Sequence, residues 1–130
     1  MKKLLQQQLR KYYKYHTTCK ELEKYIGCDR NFFKDYIDSK LIEPMNFINI
    51  GRVWHFDHIA PLDLFKPEEY NIAWNYQNIY PMFAKDNEKK GSSTHFSLQL
   101  LKKLPNSEIN SILIRKCEED IINTYGKYLL

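Results

Sequence analysis

The chain predicts an α+β fold, with helices at both ends and a short extended–loop–extended–helix unit between them. Two observations carry this. Apolar residues recur at helical spacing in the outer segments, as with Leu4, Leu5, Leu9, Tyr12 and Tyr13. In the middle, two short stretches rich in aromatic and β-branched residues each run into a proline, Pro61 and Pro81.

A chain of 130 residues is long enough for one modest core. Its 43% hydrophobic and 28% charged residues are those of a folded chain rather than a disordered one. No apolar run approaches the roughly 18 residues needed to cross a bilayer. The start, Met1-Lys2-Lys3-Leu4-Leu5, passes at once into Gln6-Gln7-Gln8, without the apolar core of a signal peptide. An intracellular protein with no membrane partner is therefore expected. Cys19, Cys28 and Cys117 are odd in number and widely spaced, so they suggest buried or indifferent thiols rather than a disulfide framework or a metal knuckle.

The formal net charge of +4 is unevenly placed. Residues 1–43 hold ten Lys/Arg against six Asp/Glu, while residues 44–130 hold ten against ten. Lys2, Lys3, Arg10, Lys11, Lys14 and Lys20 stand in the first 20 residues with no acid among them. Such asymmetry points to a polyanionic partner.

Residues 2–15 read as the first helix. Thr17 or Thr18 can cap a second over Lys20 to Ile26, which stops at Gly27, a natural left-handed C′ residue. Asp29 caps a third, through about Lys40, with Phe32, Phe33, Tyr36 and Ile37 on its buried side. Short helix, Gly turn, helix is the outline of a helix-turn-helix, whose second helix would present Arg30, Asn31, Lys34 and Lys40 to a major groove. Residues 1–44 thus form a basic helical segment that could contact DNA.

Pro44 ends that segment. Residues 46–59 should be extended, with Val53, His55 and Asp57 on one side and Trp54, Phe56 and His58 on the other. Pro67-Glu68-Glu69 opens a short helix to about Trp74. A second extended piece, Tyr76 to Tyr80, ends at Pro81, and a brief helix from Phe83 to Lys90 ends at Gly91. The middle unit occupies residues 45–94. Residues 95–130 add a short helix to Pro105 and an amphipathic one carrying Ile109, Ile112, Leu113, Cys117, Ile121 and Ile122, which complete the core. Trp54, Phe56, Trp74 and Tyr76 are expected in that core rather than as base-stacking platforms.

Asp57-His58 pairs a carboxylate, suited to a hard divalent cation, with an imidazole, suited to proton abstraction near neutral pH. Asn87, on the brief helix, can supply a second hard oxygen, and Lys90 lies one turn further along. Two such ligands would leave most of a Mg²⁺ ion's coordination to water and phosphate oxygens. His58 could then deprotonate a water for attack on phosphorus, with Lys90 or Lys89 steadying a phosphate.

Asp57-His58-Ile59-x-Pro61, Asn78-Ile79-x-Pro81-Met82 and Asn87-x-x-Lys90-Gly91 resemble the three blocks of the HNH endonuclease family, the ββα-metal fold, which read roughly DHIxP, NLxPL and (H/N)xxKG. The spacing, 20 residues from His58 to Asn78 and nine on to Asn87, is similar to the family's, and the resemblance covers residues 54–91. More loosely, Gly27-Cys28, Phe33-Lys34-x-x-Ile37-x-Ser39-Lys40 and Trp54-His55-x-Asp57-His58 look like stand-alone members from phages and large DNA viruses. The resemblance implies hydrolysis of DNA phosphodiester bonds with Mg²⁺ or Mn²⁺. It implies His58 as general base, Asp57 and Asn87 as metal ligands, and Asn78 as a strut that ties the two strands together and holds the His58 loop. Asn87 stands where many members have His, which favours a harder ion than zinc. Without Cys-x-x-Cys knuckles, no structural zinc is expected, and Met82 and Phe83 should pack the helix instead.

The alternative is a non-catalytic, helix-turn-helix-like DNA-binding protein with the middle unit as a packing module. The expected assembly is a monomer or a homodimer, since one such site cuts one phosphodiester at a time. His55 shares a strand face with Asp57 and is expected as a hydrogen-bonded strand histidine or a contact to the metal's waters or to a phosphate.

Overall fold

The computed structural model describes residues 2–15, 20–86 and 94–126. They form a mixed α+β fold, in which helices surround a two-stranded antiparallel sheet. Helix α1 spans Lys2–Tyr15 and buries Leu5, Leu9, Tyr12 and Tyr13, a stripe at helical spacing. The Tyr12 hydroxyl donates to Glu23 at 3.0 Å and the Tyr13 hydroxyl to Asp38 at 2.6 Å, so α1 is tied to both helices that follow.

Helix α2 (Lys20–Ile26) ends at Gly27, whose φ of +79° needs no Cβ and whose N–H donates to Glu23 O at 2.8 Å. The expected cap at Thr17 or Thr18 lies outside the described residues. Helix α3 (Arg30–Asp38) is capped by the Asp29 carboxylate, which accepts from Phe32 N at 2.8 Å. Asp29→Ala is expected to lower stability by about 1 kcal/mol, read as a lower urea midpoint at unchanged slope.

One expectation for α3 is corrected. Phe33 and Ile37 are fully buried, but Phe32 is 49% exposed. Adjacent helical residues point about 100° apart, so Phe32 turns out to the flank, where its ring meets Tyr76 at 5.1 Å. On the outward face expected to contact DNA, Arg30 and Lys34 bond within the fold. Arg30 donates to Tyr13 O at 2.8 Å and Tyr12 O at 3.3 Å, satisfying carbonyls in the last turn of α1. Lys34 pairs with Asp38 and lies over the Phe47 ring at 5.2 Å. Lys40 stands 4.7 Å over the Tyr36 ring, and Asn31 is exposed.

Strand β1 is Trp54–His58, shorter than the expected 46–59. Residues 46–53 are mostly turns, with a single bridge from Ile50 to Trp54, because asparagine side chains capture the backbone there. Asn46 Oδ1 accepts from Ile48 N and Asn49 N, and Asn49 accepts from Asn46 N and donates to Pro44 O at 2.9 Å. Strand β2 is Ile79–Phe83, displaced from the expected Tyr76–Tyr80. Asn75 accepts from Gln77 N at 2.9 Å and turns Tyr76–Asn78 into a 3-10 segment. Pro81 lies inside β2 rather than ending it, opposite Phe56. A two-stranded sheet leaves each strand an outer edge, where a missing N–H costs no ladder bond.

Between the strands, 3-10 turns at Leu62–Leu64 and Pro67–Glu69 lead into the single-turn helix α4 (Tyr70–Ala73). Residues 84–86 are helical after β2; the rest of the expected Phe83–Lys90 helix, with Gly91, lies outside the described residues. Helix α5 (Thr94–Lys102) packs on α6 (Glu108–Tyr125), which Ser107 caps by accepting from Asn110 N at 2.9 Å. Leu113 and Cys117 are buried and Ile109, Ile112 and Ile121 partly so, but Ile122, expected on the apolar face, is 62% exposed. Lys116 on α6 pairs with Glu69 at 2.8 Å.

One cluster of buried side chains runs from Leu5 to Cys117 and is shared by all three expected segments. At its centre Trp54 and Phe56 meet edge to face at 5.5 Å, and Tyr13 meets the same two rings at 5.7 and 5.5 Å. Among the described residues no helix is long and apolar enough to cross a membrane.

Candidate active site

The alternation of β1 separates the two adjacent residues of interest. Trp54, Phe56 and His58 face the core, and His55 and Asp57 are half-buried on the other face. The antiparallel register sets Asp57 opposite Tyr80, His55 opposite Met82 and His58 opposite Ile79.

Asn78, fully buried immediately before β2, holds the chain that leaves β1. Its Oδ1 accepts from Ala60 N at 2.7 Å, and its Nδ2 donates to Ala60 O at 3.1 Å and Ala73 O at 2.9 Å. Its own carbonyl accepts from Ile59 N at 2.8 Å. One residue therefore binds both chain positions that follow His58, and the same amide binds the residue preceding Trp74.

That second attachment matters because Trp74 packs on His58. The rings are perpendicular, 89° apart, with centroids 4.3 Å from each other. Trp74 is fully buried and His58 is 7% exposed. The imidazole thus stands at the end of β1 against an aromatic wall, and both are located by Asn78. Nothing in the spacing of apolar residues singles out Trp74; its proximity to His58 arises from the way residues 59–73 return to the sheet.

Asp57 is half-buried, and a carboxylate is the kind of hard oxygen donor that Mg²⁺ or Mn²⁺ takes. The Tyr80 hydroxyl is pushed well above its ordinary pKa, first by burial and then by the negative charges of Asp57 and Asp86. Asp86, in the helical turn after β2, thereby joins Asp57 and Tyr80 in one electrostatic neighbourhood. Asn87 and Lys90, the other expected metal ligand and phosphate contact, lie outside the described residues. Among the described residues no three His, Cys, Asp or Glu side chains gather as a metal cage. One carboxylate and one amide would be a sparser set, leaving room for water and phosphate oxygens.

Cys28 has no part in this site. Burial, followed by the charges of Asp29 and Glu23, pushes its thiol up to about 12. The thiolate is the reactive form, so iodoacetamide at mild alkaline pH should label Cys28 far more slowly in the native chain than in urea. Equal rates would contradict this assignment.

Two relatives are found among proteins of Acanthamoeba polyphaga mimivirus. "Uncharacterized protein L426" is 34% identical over 93 residues, covering 69% of this chain and 41% of that protein. "Uncharacterized protein L246" is 35% identical over 68 residues, covering 50% of this chain and 29% of that protein. The chain therefore spans well under half the length of either viral relative. No sequence-family model matches the chain, and no solved structure matches it.

Proposed function

We propose that this chain is a metal-dependent endonuclease that hydrolyses DNA phosphodiester bonds with an HNH-type strand–strand–helix unit. The observation that carries the reading is the Asn78 amide, which locates the segment following His58 and the aromatic wall behind it. A general base must be held within hydrogen-bond reach of the proton it removes. An imidazole wedged against Trp74 at the end of a strand has lost most of its rotational freedom before substrate arrives.

In this reading His58 takes a proton from the attacking water. Asp57, with Asn87, would hold a Mg²⁺ or Mn²⁺ ion, and Lys90 would contact a phosphate. Such an ion, when bound, would supply positive charge to the scissile phosphate and the leaving oxygen. Asp57 and His58 are adjacent in sequence and face opposite sides of β1. The alternative, a non-catalytic helix-turn-helix, is weakened because Arg30 and Lys34 are engaged within the fold.

The test is incubation of supercoiled plasmid with the protein and Mg²⁺ or Mn²⁺, with EDTA as control and RNA in parallel. Metal-dependent conversion to open circle, with linear product later, supports the reading. A plasmid left supercoiled under both metals excludes it.

A further inference from the structure

Helix α1 lies along the edge of β1 that does not face β2. Gln6 Nε2 donates to Phe56 O at 2.8 Å. One helical turn later, about 6 Å along the axis, the Arg10 guanidinium lies against Gly51. Gly51 has φ +91°, and a Cβ placed there would stand 2.6 Å from Arg10 Cζ. The missing side chain is therefore what admits the guanidinium. Arg52 follows directly and is exposed, as is Arg10. Lys85 is exposed too, and the N–H of its neighbour Ala84 donates to Val53 O at 3.0 Å, which brings it to the same end of the sheet.

Among the described residues, Arg10, Arg52 and Lys85 pair with no acid. Helix α1 contains none from Lys2 to Tyr15. Arg30 and Lys34 of α3, by contrast, are bound to backbone carbonyls and to Asp38. At this end of the sheet, among the described residues, Arg10, Arg52 and Lys85 are the positive charges without an acid partner that the fold brings together.

We infer that Arg10, Arg52 and Lys85 form a docking surface for the phosphate backbone of nucleic acid. This deepens the proposed function and rests on DNA being the substrate. The scale fits: Trp54 to Asp57 covers about 10 Å of strand, or about three nucleotide rises of 3.4 Å. A backbone held at the arginines reaches the Asp57–His58 end of the sheet within a few nucleotides. Guanidinium groups suit phosphate by their forked donors, and charge without acid partners is the footprint of backbone binding.

The test is binding of a labelled DNA duplex to the His58→Ala protein in EDTA across a salt series. Each phosphate contact contributes a slope of about 0.9 in log affinity against log salt. The Arg10→Gln/Arg52→Gln pair is expected to reduce the slope by about 1.8 and to weaken low-salt binding at least tenfold. Gly51→Ala, whose Cβ displaces the Arg10 guanidinium, should reduce it by about half as much. Lys102→Gln/Lys103→Gln, exposed at and just past the end of α5, should keep the parent slope. Circular dichroism and urea midpoints establish that each variant is folded; were the pair to unfold, Arg52→Gln alone should still reduce the slope by about 0.9.

An unchanged slope in folded arginine variants overturns the docking surface, even if the parent cuts DNA. Equal affinity for polyglutamate overturns the assignment to nucleic acid. An arginine-dependent slope in a parent that cuts nothing under Mg²⁺ or Mn²⁺ preserves the docking surface and removes the nuclease reading.

Discussion

His58→Ala is expected to abolish metal-dependent plasmid cleavage while leaving DNA affinity nearly intact. A positioned general base is worth about 10²- to 10⁴-fold in rate, which is roughly 3–5 kcal/mol of barrier at 1.36 kcal/mol per tenfold. The expected loss thus brings turnover close to what the remaining electrostatics can support. The substitution also removes a ring that packs on Trp74 at 4.3 Å, so lost activity must be separated from lost structure. Asp57→Ala provides the separation. Its side chain is half-buried on the face of β1 away from the core, so the fold should survive, yet cleavage should fall and respond to added Mn²⁺. If folded His58→Ala cuts as fast as the parent, the imidazole is not the base.

Asn78→Ala should have the largest effect on stability. The side chain is fully buried and makes three hydrogen bonds, to Ala60 N, Ala60 O and Ala73 O. Alanine leaves all three backbone groups unmatched in a place water reaches poorly, at about 1–3 kcal/mol for each buried group orphaned. Relaxation will recover part of this, and about 3–5 kcal/mol is the expected total, a large fraction of a small domain's stability. Asn78→Asp keeps the acceptor for Ala60 N–H but sets a carboxylate beside two carbonyl oxygens, so it should not rescue. Urea unfolding followed by tryptophan fluorescence reads both. A fall below about 1 kcal/mol for Asn78→Ala would mean that the amide is not holding these segments together.

The helix ends were legible in the sequence because capping is local. Asp29 bonds three residues ahead, and Gly27 closes α2 with positive φ. The side-chain alternation of β1 was legible for the same reason, since a pleat of period two follows from the backbone alone. The extent of the strands was not. β-branched and aromatic residues over 46–53 favour extension, yet Asn46 and Asn49 offer the backbone side-chain partners that a sheet would otherwise supply. Asn75 does the same before β2 and moves its start to Ile79.

For the candidate site, the sequence by itself determined which residue types stand at which separations. Asp57, His58 and Asn78 can be picked out because their chemistry and spacing are properties of the chain. Only the tertiary structure decided that Asn78 bonds Ala60 and Ala73, that Trp74 backs His58, and that Tyr80 lies opposite Asp57. It alone decided, too, that Arg30 is directed into the end of α1 while Arg10 lies open on Gly51. Each of these depends on long-range closure, where burial and the need to satisfy backbone polar groups select one partner among several that local propensity allows.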